Sequence, residues 1–247
     1  MTSAPLAETT ALVTGASAGI GAATARKLAS DGADVALVAR REDRLTELAD
    51  EIAANHDVDT HVVPADVSDQ AQVTAAVEST VDTLGSLDGV VVNAGVGRGS
   101  DVETLSDEQY RTMMGVNVDG AFYTARESLP HLREAAGSLV FVGSFAGQYP
   151  RPFNPVYAAT KWWLRGFAHS LAGQVGDDDI GVTVVNPSEV RSEFGSEEGT
   201  PFNERFEPGE VTEPEEVADA IAFAMQQEPP TTINSIDVFR RDKFGHF

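Results

Sequence analysis

The 247-residue sequence predicts one α/β domain, a doubly wound parallel sheet of seven strands with helices on both faces. Three observations carry this expectation. Short apolar runs alternate with longer amphipathic stretches along the whole chain, the pattern of a parallel sheet wrapped by helices. A glycine-rich turn, Thr14-Gly15-Ala16-Ser17-Ala18-Gly19-Ile20-Gly21, joins the first apolar run to the first helical stretch. The length supplies one full core and leaves little for another, so residues 1–247 are read as a single unit.

Strands are expected at 11–13, 34–39, 60–63, 89–92, 138–142, 181–185 and 235–238. Helical patterns lie between them, at 20–30, 42–54, 70–84, 107–132, 154–175 and 214–227. A sheet of this kind opens a ligand crevice beyond the C-terminal ends of its strands. One stretch is irregular. Pro187 to Glu213 is rich in Gly, Pro and acidic residues and carries Phe194, Phe202 and Phe206. It reads as a lid (188–213) over the crevice, and a plain surface excursion fits nearly as well.

Composition excludes several function classes. No run of apolar residues is long enough for a transmembrane helix. The first nine residues lack the basic start and apolar stretch of a signal peptide. Cysteine is absent, which removes disulfides and thiolate chemistry. Together these give a cytoplasmic expectation. The five histidines (His56, His61, His131, His169, His246) show no metal-ligand spacing, so no metal is expected. With 39 acidic against 17 basic residues the net charge is −22, which disfavours nucleic acid and anionic membrane as partners. Only three residues are lysine: Lys27, Lys161 and Lys243. An acidic, lysine-poor surface on a well-formed core resembles the proteins of salt-loving microbes.

The glycine turn sits where a strand hands over to a helix. Glycines let a backbone approach a pyrophosphate, and the helix N-terminus presents unpaired N–H groups to its charge. The spacing is G-x-x-x-G-x-G and not G-x-G-x-x-G; a glycine turn without a ligand would look the same. A second pattern is Tyr157-Ala158-Ala159-Thr160-Lys161, with Ser144 thirteen residues before the tyrosine. On a helix the i,i+4 pair shares one face, about 6 Å apart along the axis. At an effective dielectric of about 20 and a separation of about 5 Å the ammonium favours the phenolate by roughly 3 kcal/mol. That draws a phenol of ordinary pKa about 10 toward neutrality. Alone, the pair also fits a solvated helix face.

These motifs together resemble the short-chain dehydrogenase/reductase family, in its single-domain branch with a Rossmann fold, over nearly the whole chain. T-G-A-S-A-G-I-G stands where the family has T-G-x-x-x-G-x-G, and Asn93-Ala94-Gly95 matches its N-A-G. Asn117, Ser144, Tyr157 and Lys161 match its catalytic tetrad in order and spacing. The resemblance implies an oxidoreductase that interconverts a carbonyl and an alcohol on a small molecule. Tyr157 would be the acid/base. Lys161 would lower its pKa and hold the nicotinamide ribose, Ser144 would orient the substrate, and Asn117 would hold a water near Lys161. Gly15, Ser17, Gly19, Ile20 and Gly21 would cradle the cofactor, Asp66 and Val67 its adenine, and Pro187, Val190 and Ser192 its carboxamide. Ser188 replaces a usual glycine, a strained choice if that position needs positive φ.

Cofactor choice is read at the end of the second strand. Ala39 stands where NAD-preferring relatives commonly carry a carboxylate, and Arg40-Arg41 follows. Arginine offers a planar charged fork for a phosphate, so NADP is expected, with Arg40 the principal contact and Arg41 its assistant. Pairing of Arg41 and Arg44 with acids on the following helix is the alternative. Segments after the second and sixth strands and near the C-terminus are similar to NADP-dependent 3-hydroxy acid and serine dehydrogenases. Arg151 could pair with a substrate carboxylate, or be an exposed loop arginine; Gln148, Tyr149, Phe153 and Arg98 are further pocket candidates. Relatives form dimers and tetramers through two helical faces, so the apolar Trp162, Trp163 and Phe167 suggest a homotetramer or dimer, against a monomer that buries them. A redox sensor that binds NADP without turnover is the alternative function.

Molar salt shortens the Debye length to about 3 Å, which screens the self-repulsion of so acidic a chain. Thermal unfolding should therefore occur at lower temperature in dilute buffer than in molar KCl. Equal midpoints would remove the salt-adapted reading.

Overall fold

A computed structural model describes residues 4–97, 101–195 and 200–246. Seven parallel strands form one sheet: β1 (Thr10–Thr14), β2 (Asp34–Ala39), β3 (Thr60–Pro64), β4 (Gly89–Val92), β5 (Ser138–Val142), β6 (Gly181–Pro187) and β7 (Ser235–Val238). The helices are α1 (Gly19–Ser30), α2 (Glu42–Asn55), α3 (Gln70–Leu84), α4 (Asp107–Met114), α5 (Gly120–Ala135), α6 (Pro155–Val175), α7 (Phe202–Arg205) and α8 (Pro214–Met225). Spatial order in the sheet is β3-β2-β1-β4-β5-β6-β7. The chain steps outward from β1 to β3, returns across β1 to β4, and steps outward again. That reversal leaves a crevice where β1 and β4 part.

Side chains alternate between the faces with period two. Val35, Leu37 and Ala39 of β2 point to one face with Val140 and Val142 of β5. Ala36 and Val38 point to the other with Leu139 and Phe141. The first face is covered by α1, α2 and α8 through Leu28, Leu45, Ile52 and Ile221. The second is covered by α3, α5 and α6 through Val77, Leu132, Leu164 and Val175. Burial on both faces is why the strands read as nearly continuous apolar runs.

Capping fixes the helix that matters most for the site. Asn154 accepts a hydrogen bond from the Tyr157 N–H, and Pro155 occupies the first helical position, where its missing N–H costs nothing. α6 therefore starts two residues before Tyr157.

One expectation is corrected. The pattern over 107–132 predicts a continuous helix, but α4 ends at Met114 and a π-helical turn, Gly115–Asp119, intervenes before α5. The extra residue in that turn brings the Asn117 amide inside, where it is fully bonded. Gly120 follows because a Cβ there would stand 2.9 Å from the Val67 side chain. Apolar periodicity does not register one added residue per turn.

Trp163 and Phe167 stack at 4.9 Å and 11° and pack, partly buried, against the second core cluster. Trp162 remains outward at 46% exposure, as does Phe122 of α5 at 38%. Among the described residues no helix is long and apolar enough to cross a membrane.

Candidate active site

A cleft of about 450 Å³ lies at the C-terminal edge of the sheet. Its floor begins with the glycine turn. Gly15 has φ +69°, and a Cβ there would fall 2.8 Å from Asn93 Nδ2. At Gly21 a Cβ would overlap the Gly15 carbonyl oxygen, so the turn folds tightly against the start of α1. The cap of α1 is Ala18, which has no side-chain acceptor. The N–H groups of the first turn therefore meet the cleft without a side-chain partner, and suit an anion.

Beside the turn, Asn93 Nδ2 donates to the Thr14 carbonyl at 2.8 Å, while the Asn93 and Ala94 N–H groups donate to Thr14 Oγ1 at 3.0 and 3.1 Å. This clamp holds the parted ends of β1 and β4. Asn117 sits behind the wall, 2% exposed. Its Oδ1 accepts from the Val96 N–H at 2.8 Å, and its Nδ2 donates to the Val96 carbonyl at 2.8 Å and to Thr160 Oγ1 at 3.0 Å. The Asn117 side chain is thus a brace between the β4 loop and α6.

Tyr157, Lys161 and Ser144 line the same cleft. Lys161 is buried, and its Nζ donates to the Val142 carbonyl at 2.8 Å. Burial pushes the ammonium down to a pKa of about 8. The expectation that Lys161 acidifies Tyr157 meets an opposing effect, burial. Burial raises the Tyr157 phenol above its ordinary value; the Ser144 hydrogen bond and the Arg151 charge work against that rise. Desolvation dominates both groups because the cleft withholds water from each charge.

Most of the residues singled out from sequence meet here. Gly15, Ser17, Gly19, Ile20, Arg40, Arg41, Asp66, Val67, Asn93, Ala94, Gly95, Pro187, Val190 and Ser192 line the cleft with Tyr157, Lys161 and Ser144. Gly21 and Asn117 stand immediately behind it. Ser188 adopts no positive φ, so the replaced glycine brings no backbone strain. Its Oγ is buried with no hydrogen-bond partner beside the cleft. Arg151 and Phe153 also line the cleft, and the Arg151 side chain is only 19% exposed. Gln148 and Tyr149 do not line it: Gln148 bonds Asp237 and Tyr149 stacks on Phe145. Arg98 lies outside the described residues.

Two features escaped the sequence. Among the described residues Arg41 and Arg44 pair with Glu193 in the segment after β6, not with acids of α2. Phe194 packs on the Tyr157 ring at 5.7 Å and on Phe202 at 5.9 Å. The arginine pairs join residues about 150 positions apart and leave no local pattern. The aromatics of that segment were the one available signal.

With this geometry in place, the comparisons agree on a class. The family profile described as short chain dehydrogenase matches residues 9–201, and the chain belongs to that family. An uncharacterized oxidoreductase of Staphylococcus epidermidis is 33% identical over 236 residues, covering 95% of this chain and 98% of the relative. The alcohol dehydrogenase of the archaeon Thermococcus sibiricus, complexed with 5-hydroxy-NADP, superposes with TM-score 0.85 at 29% identity, covering 94% of this chain and 96% of that one. A 3-ketoacyl-(acyl-carrier-protein) reductase from Brucella melitensis, complexed with NADH, gives 0.84 at 30% identity, covering 95% and 98%. The protein is an oxidoreductase of this family.

Lys161 sets a pH dependence. Between about pH 8 and 10.5 the unfolded chain holds the lysine proton more often than the folded chain, so stability rises with pH there. Relative to a Lys161→Met variant, the chain should gain about 3 kcal/mol across that window in urea unfolding. A constant difference would contradict the burial-driven shift.

Proposed function

We propose that the chain is an NADP(H)-dependent oxidoreductase interconverting a carbonyl and a secondary alcohol on a small molecule. The observation that carries this reading is the meeting of Tyr157, Lys161 and Ser144 with the glycine turn, Arg40 and Arg41 in one cleft. The bound nicotinamide would supply or accept the hydride. The residues present fit such a group: α1 offers an uncapped N-terminus, and Ser188 offers a buried hydroxyl without a partner.

In the reducing direction the Tyr157 hydroxyl gives its proton to the carbonyl oxygen, and in the oxidising direction the phenolate takes one from the alcohol. A raised phenol pKa keeps the proton in place at neutral pH, ready for donation. Ser144 polarises the same oxygen. Lys161 supplies a buried positive charge and donors toward a ribose. Asn117 positions Lys161 through Thr160, its neighbour on α6. Arg40 and Arg41 would hold a 2′-phosphate, with Ala39 offering no opposing carboxylate, and Asp66 and Val67 would meet the adenine. The archaeal relative's NADP-type ligand supports this choice; the NADH of the Brucella reductase shows that the family takes both.

Arg151 bears on the substrate. Among the described residues its one hydrogen-bonded partner is Glu189, at 3.5 Å, and both Glu189 oxygens are taken at 2.6 and 2.8 Å by Lys243. Most of its five N–H donors remain available to a ligand in the cleft, which favours a small oxo or hydroxy acid. Self-association through Trp162 and Phe122 into a homodimer or tetramer belongs to the same reading. A sensor without turnover would not need the proton donor, so the complete set favours catalysis.

A panel of ketones, oxo acids and sugars with NADPH, followed at 340 nm, tests the reaction. Oxo acids should be reduced best, and Tyr157→Phe should lower turnover about 10³-fold. Full turnover in that variant would reject the assignment. Arg40→Ala should raise the KM for NADPH about tenfold and that for NADH little; equal effects would reject Arg40 as the phosphate contact.

A further inference from the structure

The mouth of the cleft carries a carboxylate for which the proposed reaction has no use. Both Glu193 oxygens accept from Arg44 Nη1, at 2.7 and 2.8 Å, and one also accepts from Arg41 Nη1 at 3.1 Å. Arg41 also donates to the glycine turn, with Nε and Nη2 both on Ser17 Oγ at 3.2 and 3.0 Å. The Arg44 hydrogen bonds hold the Glu193 carboxyl below its ordinary range against the opposing effect of burial, and Arg41 adds to them. The next residue, Phe194, covers the Tyr157 ring. One ion-paired side chain therefore ties the arginines at the start of α2 to the segment above the Tyr157 phenol.

A guanidinium has a fixed set of donors, and two anions on one fork repel each other. We propose that Glu193 is a specificity-determining residue: its carboxylate occupies the arginine fork that a 2′-phosphate would use. A dinucleotide bearing that phosphate binds by displacing Glu193, and one lacking it binds with Glu193 in place. The inference rests on the reading that Arg41 meets the phosphate. A phosphate brings more charge and more acceptor oxygens than a carboxylate, so it wins the fork, but its net affinity is reduced by the pair it must break. The exchange also frees the Glu193–Phe194 segment on its arginine side. Phosphorylated and unphosphorylated cofactors then leave different covers over Tyr157.

Equilibrium titration of NADPH and NADH, followed by nicotinamide fluorescence, tests this without reference to turnover. Glu193→Gln should tighten NADPH about fivefold, the worth of a partly exposed ion pair of about 1 kcal/mol. NADH binding should stay within about twofold and doubles as the control for folding. Weaker NADPH binding in Glu193→Gln, no change, or equal tightening of both cofactors would overturn the proposal. Arg41→Ala separates the two levels. If it weakens NADPH selectively while Glu193→Gln does not tighten NADPH, only the role of Glu193 fails. If Arg41→Ala weakens both cofactors alike, the phosphate assignment fails and takes the proposal with it.

Discussion

Where β1 and β4 part, the sheet can no longer satisfy its own backbone, and buried N–H and carbonyl groups must find other partners. Thr14 and Asn93 provide them across the gap, through the Thr14 carbonyl and hydroxyl. Asn117 repeats the device one step further along, bonding both backbone groups of Val96. From Asn117 the chain of bonds passes through Thr160 to the Tyr157 carbonyl, and Lys161, next on the helix, reaches back to Val142 at the end of β5. The glycine turn, the β4 loop and α6 are fixed relative to one another by side chains that answer a backbone deficit. The crevice and its reactive groups share a single cause.

That rigidity comes with burial, nearly complete for Lys161 and partial for Tyr157, and burial moves both groups. A Coulomb estimate between an ammonium and a phenol predicts that each stabilises the ionised form of the other. Burial does the opposite to both, lowering Lys161 and raising Tyr157. At neutral pH the lysine still carries its charge and the tyrosine its proton, the pairing that the proposed reaction calls for. Loss of water is the leading cause of both shifts, and Lys161 directs its donor to a carbonyl oxygen.

Charge is distributed with a similar logic. The chain carries −22 overall, yet Arg40, Arg41, Arg151 and Lys161 line the cleft at the C-terminal edge of the sheet. Two of the three lysines belong to this region, since Lys243 holds Glu189 beside Arg151. Lys27 is paired with Asp31 on α1. An anionic cofactor therefore meets local positive charge in a chain that repels anions elsewhere. Glu189 and Glu193 temper that charge, each held by two cations.

All seven strands, most helices and the glycine turn, the Asn93-Ala94-Gly95 run and the Ser144, Tyr157 and Lys161 set that line the cleft were legible in the sequence. Alternation of apolar residues, glycine at tight approaches and fixed spacing of reactive side chains are local consequences of strand and helix geometry. The π-helical turn was not legible, because a buried amide reaching Val96 and Thr160 chose it and apolar spacing did not. Nor were the direction of the Tyr157 shift and the partner of Arg41 and Arg44. Burial is a property of the assembled cleft, and Glu193 lies about 150 residues from those arginines. The sequence by itself determined the order of elements and the identity of the reactive groups, since neighbours along the chain dictate both. Only tertiary structure decided how much water those groups keep and which distant charge each one meets.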